Sequence, residues 1–127
     1  MVEPAPLPHR GFPCDECPFR VDNADNAAAK FPAERWADLA VTVRDPATGR
    51  QPMLGDDLFG CHKGTPGTNA DLACAGWLAR FGGDHVGVRV AIVGGRLPES
   101  ALEPGANWPA LYNTWEDVLD AQTMPEQ

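Results

Sequence analysis

Apolar side chains recur at helical spacing in a few short stretches of this 127-residue chain, and proline- and glycine-rich segments separate them. In "FPAERWADLAVTVRD", Trp36, Leu39, Ala40 and Val43 stand at i, i+3, i+4 and i+7, which predicts a helix from Pro32 to Arg44 with one face turned inward. Pro32 suits the first helical position, Arg44 complements the negative end of the dipole, and Pro46 blocks continuation. In "TNADLACAGWLARFGG", Thr68 and Asp71 resemble a capping box and Gly82 is a natural stop. A helix between them would carry Cys74, Trp77, Leu78 and Phe81 on one stripe, with Cys74 pointing inward.

The stretch "DHVGVRVAIVGGRL" carries two patterns. Val86, Val88, Val90 and Ile92 alternate as in a strand, yet Asp84 can cap a helix ending at Gly94 and Gly95, and the reading leans to helix. The last predicted helix is Trp115 to Ala121, with Thr114 and Asp117 as its cap pair and Trp115, Val118 and Leu119 on the buried side.

Composition turns these elements into an architecture. With 43% hydrophobic residues, the chain reads as one domain, 1–127, with loose ends at 1–9 and 122–127. Thirteen glycines and thirteen prolines exceed what a regular bundle needs. The expected fold is mainly helical with irregular loops, organised around a four-cysteine metal centre. No internal repeat and no dividing linker is visible.

The formal charge is −8, and the ten basic residues are scattered, so a basic face that follows a phosphate backbone is not expected. From Leu97 to Gln127 there are six acidic residues and no Lys or Arg, which reads as a solvated end. No apolar run approaches a membrane span, and "MVEPAPLPHR" lacks a cationic stretch followed by an apolar one. A cytoplasmic setting is expected, and there four cysteines serve more naturally as metal ligands or redox groups than as a disulfide frame.

Those cysteines are Cys14, Cys17, Cys61 and Cys74: a CxxC, then 43 residues, a cysteine, 12 residues and a cysteine. The CxxC spacing lets two side chains turn to one point while backbone N–H groups donate to the thiolates. Four sulfurs suit one four-coordinate centre with none left over. Four thiolates also overcompensate a 2+ charge, and Arg10, Arg20 and Lys63 lie within four positions of a cysteine. His62 and Trp77 are further candidates for the surroundings of the site. Structural zinc often uses paired knuckles, whereas here the second pair is split between a loop and a predicted helix. Thiolates arriving separately among Phe12, Phe19, Phe59 and Trp77 suit a shielded [4Fe–4S] cluster, with Zn2+ as the alternative and a dithiol or disulfide as the third reading.

The ligand spacing resembles the cluster-binding pattern of iron–sulfur uracil-DNA glycosylases, although no glycosylase active-site motif accompanies it. "PCDECPFR", "FPAERWADLA", "FGCHKG", "CAGWLA", "VRVAIVGGRL" and "NWPALYNTWEDV" together resemble the uncharacterised four-cysteine proteins of actinobacteria and their bacteriophages, a domain of unknown function. That resemblance covers about residues 10 to 120. It implies a bacterial or phage intracellular origin and a single constellation of Cys14, Cys17, Cys61 and Cys74, and it brings no reaction.

Enzyme patterns are weak. A thioredoxin-like CxxC needs a helix after its first cysteine, and Pro18 followed by "RVDNADN" does not read as one. "GCHKGTPGTN" lacks the spacing of a phosphate loop, His9 and His85 show no partner, and Asp56 and Asp57 read as a polar loop. Trp108, Tyr112 and Trp115 read as core anchors, with a protein-docking aromatic face as the alternative. The expected function is a binding or sensing module with a protein partner, in which a phage-encoded modulator of a host protein is one form. A redox protein or electron carrier that uses the cluster or the CxxC is the alternative of another class.

Overall fold

A computed structural model describes residues 7–45, 47–53, 58–60 and 72–124. Among them are four α-helices: α1 (Ala33–Leu39), α2 (Ala75–Phe81), α3 (Val86–Val93) and α4 (Trp115–Gln122). Short 3-10 turns link or extend them, and among the described residues extended pairing is limited to isolated bridges. The expectation of a mainly helical, loop-rich chain agrees with this. Among the described residues no helix is long and apolar enough to cross a membrane.

Helices of seven or eight residues are marginal in water, so packing has to hold them. Their inner faces meet on an aromatic cluster. The Phe31 and Trp36 ring centroids are 4.9 Å apart, Trp36 meets Trp115 edge-on at 5.3 Å, and Phe19 meets Phe59 at 4.9 Å. Trp77, Leu78, Val88, Leu111 and Val118 extend the same core.

The first helix differs from its expected form. It ends at Leu39 and tightens into a 3-10 turn over Ala40–Thr42, with Pro32 as its N-cap instead of its first helical residue. A 3-10 turn advances each residue further around the axis than an α-helix, which breaks the expected stripe. Ala40 is therefore exposed, and Thr42 takes an inward place with its hydroxyl donating to the Leu39 carbonyl at 2.7 Å.

The α3 stretch is helical, as the reading leaned, and its buried residues Val88 and Ala91 share one face. Its cap is His85 and not Asp84: the buried imidazole accepts at Nδ1 from the Gly87 N–H at 3.0 Å. α4 runs one residue past the expected Ala121, and Thr114 Oγ1 accepts from the Asp117 N–H at 3.1 Å as its cap pair required.

The described residues nearest the two ends are hydrogen-bonded into the fold. Leu7 donates to the Arg96 carbonyl at 2.8 Å and Arg10 to that of Ala73 at 2.9 Å, while Phe31 forms a parallel bridge with Thr123, donating to the Gln122 carbonyl and accepting from the Met124 N–H. A polar clamp reinforces the second tie. The Lys30 ammonium donates to the carbonyls of Ala24 and Ala121, and the fully buried Gln122 donates to the Asn23 carbonyl at 3.2 Å. The Trp36 indole N–H in turn donates to the Gln122 carbonyl at 3.1 Å. Lys30 thus holds the negative end of α4 against the loop that precedes α1.

Lys30→Met keeps most of the aliphatic stem and removes the donor from two carbonyls. The expected loss is about 2 kcal/mol, read as a fall in Tm of roughly 5–8 °C; an unchanged melting curve would show that the clamp is only superficial.

Candidate functional site

The CxxC arm reaches the core through a reverse turn in which Cys17 N–H donates to the Cys14 carbonyl at 3.1 Å. The Arg20 guanidinium closes this turn from outside, with Nη1 3.3 Å from the Cys14 carbonyl and 3.4 Å from that of Pro13. Its other edge grips Asp22 through two bonds of 2.8 and 2.7 Å. Arg20 therefore does lie beside the cysteines, but its charge is shared with a carboxylate. The Asn23 side chain donates to the Cys17 carbonyl at 2.8 Å and fixes the inner end of the arm.

Cys74 arrives differently from the expectation. It is the N-cap of α2, in extended conformation, and not a residue of the helical stripe. The Thr68–Asp71 cap pair lies outside the described residues, and the helix starts beyond it at Ala75. What orients Cys74 is pairing on two sides. Ala73 bridges His9 in parallel and Gly60 in antiparallel fashion, and Cys74 N–H donates to the Phe59 carbonyl at 2.9 Å. The neighbour of His9 in this arrangement was not visible in the sequence, because isolated bridges leave no periodicity to read.

The two segments meet at sulfur. Cys17 Sγ and Cys74 Sγ are 3.8 Å apart across 57 positions of sequence, and both residues are buried. Gly76 makes the approach sterically feasible: a Cβ there would stand 3.0 Å from Cys17 Sγ and 2.9 Å from Phe19 Cβ. The Cys17 thiol is held below its ordinary pKa, chiefly by the hydrogen bond with Cys74. The backbone N–H groups of Phe19 and Arg20 and the Arg20 charge add to this, against burial, which pushes the other way. N–H donation to a CxxC sulfur is the surrounding that a metal thiolate uses.

Cys14 is half-buried, and no set of three or more His, Cys, Asp or Glu side chains among the described residues is placed to hold a metal ion. Cys61, His62 and Lys63 lie outside the described residues, as do Asp56 and Asp57. The structure thus brings together Cys17 and Cys74, with Arg20 and Trp77 nearby in the chain.

Of the expected aromatic surroundings, Phe19, Phe59 and Trp77 are buried in the same cluster as the two thiols, whereas Phe12 is exposed and leans edge-on against Trp108 at 6.0 Å. Trp77 has a feature the sequence did not reveal: its indole N–H is buried and has no acceptor among the described residues. Trp115 and Tyr112 pack against the core, as the anchor reading expected.

The chain matches a family model over residues 9–127. It belongs to DUF6283, a family of unknown function. No curated protein and no solved structure matches the chain. For this DUF6283 protein, the sulfur contact is therefore argued from its own geometry.

Two outcomes test that geometry. In a helix, Gly76→Ala would ordinarily gain up to about 1 kcal/mol, but here the crowding against Phe19 and Cys17 reverses the sign, with an expected loss of about 1–3 kcal/mol in urea denaturation. Gly83→Ala, whose Cβ would meet nothing within 4 Å, is the control, with a change within about 0.5 kcal/mol. The second outcome follows from the lowered thiol pKa. Folding depresses it, so metal-free, reduced protein gains stability as the pH rises from the folded Cys17 pKa towards about 8.5, and loses it as the pH falls back through the folded value. Ultraviolet thiolate absorbance should therefore appear at lower pH in folded than in urea-unfolded protein; coincident titrations would remove the electrostatic part of the argument.

Proposed function

We propose that this DUF6283 protein is a metal–thiolate protein in which Cys14, Cys17, Cys61 and Cys74 hold a single tetrahedral ion, Zn2+ by donor chemistry, and that it acts as a binding or sensing module. The observation that carries the reading is the Cys17–Cys74 separation of 3.8 Å. Two thiolates bound to one tetrahedral ion at metal–sulfur distances near 2.3 Å stand about 3.8 Å apart. In a cubane each thiolate serves a different iron, so its sulfurs spread more widely than those on one ion.

The backbone supports the remaining two ligands. Cys61 is bonded to Gly60, which pairs with Ala73, the residue before Cys74. Cys14 begins the turn that delivers Cys17, and Arg20 holds both its carbonyl and the local negative charge. When bound, the ion supplies a cross-link between the arm, the loop and α2, and Arg20 offsets part of the excess thiolate charge.

A [4Fe–4S] cluster is the second reading, favoured by Trp77. Its buried indole N–H lacks an acceptor among the described residues, and a cluster offers sulfur acceptors inside an aromatic shell. In either form, an acidic surface over a cross-linked core suits docking on a protein, and the motif set resembling proteins of actinobacteria and their phages fits an intracellular modulator.

Metal analysis of untagged protein purified without oxygen tests the proposal. The expected result is one zinc per colourless chain, lost in Cys17→Ser and Cys74→Ser, with chelation costing about 4 kcal/mol of stability, as for a ligand held roughly a thousandfold above its dissociation constant. Brown protein with iron and sulfide supports the second reading. Folded protein that carries no metal and whose four cysteines all react as free thiols would end both.

A further inference from the structure

We propose that the concavity over Trp115 binds a small zwitterion with an apolar body, of the α-amino-acid or dipeptide class. The cavity holds about 400 Å³ and lies where the α1 extension, the last turn of α2 and the start of α4 converge. Val43, Phe81 and Trp115 form its apolar wall. A second concavity of about 320 Å³ shares Val43, Arg44 and Trp115 with it and lengthens the site towards Arg50. Both volumes fall in the range of small-molecule sites, which pair an apolar lining with a few polar groups.

The charges select the ligand. Arg44 and Arg80 line the larger cavity together with Asp84 and Glu116. None of these four side chains has a hydrogen-bond or ion-pair partner among the described residues. Two guanidinium groups and two carboxylates therefore border one cavity without neutralising each other across it. A simple anion gains from the arginines but meets both carboxylates and the field of a chain of formal charge −8. A simple cation meets the arginines. A neutral, dipolar molecule satisfies both signs at once, its carboxylate on the forked guanidinium donors and its ammonium on Asp84 or Glu116. The Trp115 and Phe81 rings then receive the apolar side chain. Trp115 packs edge-on against Trp36 at 5.3 Å and against its fellow wall residue Phe81 at 5.8 Å, so the wall is built before a ligand arrives.

No described cysteine lines this cavity, so the inference stands apart from the metal proposal. The test titrates isotope-labelled full-length protein, as purified, with L-phenylalanine, L-leucine and the dipeptide Phe-Gly, and follows the amide and indole N–H resonances. Saturable shifts are expected at the Trp115 indole and at Asn113 to Glu116. Phenethylamine and 3-phenylpropionate, each lacking one charge, should bind at least about tenfold more weakly than phenylalanine. The Arg44→Gln/Arg80→Gln variant should keep its remaining spectrum and lose the shifts, while Arg89→Gln, outside the cavity, binds normally. The inference is overturned if none of the three zwitterions gives saturable shifts. It is also overturned if 3-phenylpropionate binds as well as phenylalanine, or if the double arginine variant binds unchanged.

Discussion

Helices this short cannot persist on hydrogen bonds within themselves, so the fold depends on contacts between residues far apart in sequence. The contact between the Cys17 and Cys74 sulfurs concentrates that dependence. It joins the proline-flanked arm to the start of α2, and it requires Phe19, Cys17 and Gly76 to occupy one crowded spot. Once Phe19 is seated there, its ring reaches Phe59, Phe81 and Trp115, so the arm, the 58–60 segment, α2 and α4 share a single aromatic cluster. Loss of the arm would expose the inner faces of all of them.

A second tie has different physics. Lys30, Gln122 and the Trp36 indole join the loop before α1 to the C-terminal end of α4 through hydrogen bonds in largely dry surroundings. Such bonds add little when made, but a large penalty follows when one partner is removed. The first tie is apolar and thiol-based, the second polar. Between them they join distant parts of the described chain, which holds together with only isolated bridges among the described residues.

Legibility in the sequence followed the range of the interaction. The α4 cap was readable because Thr114 and Asp117 are three residues apart and act on each other directly. The α2 start was not: Thr68 and Asp71 make a plausible local cap, but pairing of Ala73 with His9 and Gly60 keeps the chain extended through Cys74. His85 displaced Asp84 as the α3 cap because its ring also fills space beside Trp77, a packing gain that no local pattern encodes. Gln122, fully buried, looked like part of a loose polar end for the same reason. For the site, the approach of Cys17 to Cys74 and the buried places of Phe19, Phe59 and Trp77 were legible. The exposure of Phe12, the sharing of Arg20 with Asp22, and the cavity beside Trp115 were not, because each depends on where a distant segment comes to lie.

The metal question reduces to how much spread the sulfurs tolerate. The backbone of Cys17 is held by its hydrogen-bonded turn and that of Cys74 by the bond from its N–H to the Phe59 carbonyl, while both side chains sit in the buried core, so a wide separation of the two sulfurs disturbs their packing. A single ion asks nothing of this pair that the protein has not already imposed. A cube needs the two sulfurs moved apart, and the repayment would have to come from new acceptors for groups such as the Trp77 indole, which has none among the described residues. Interiors resist such displacement because they are close-packed. On that balance the close sulfur pair favours the proposed single ion over the proposed cluster, and among the described residues the unspent indole N–H pulls the other way.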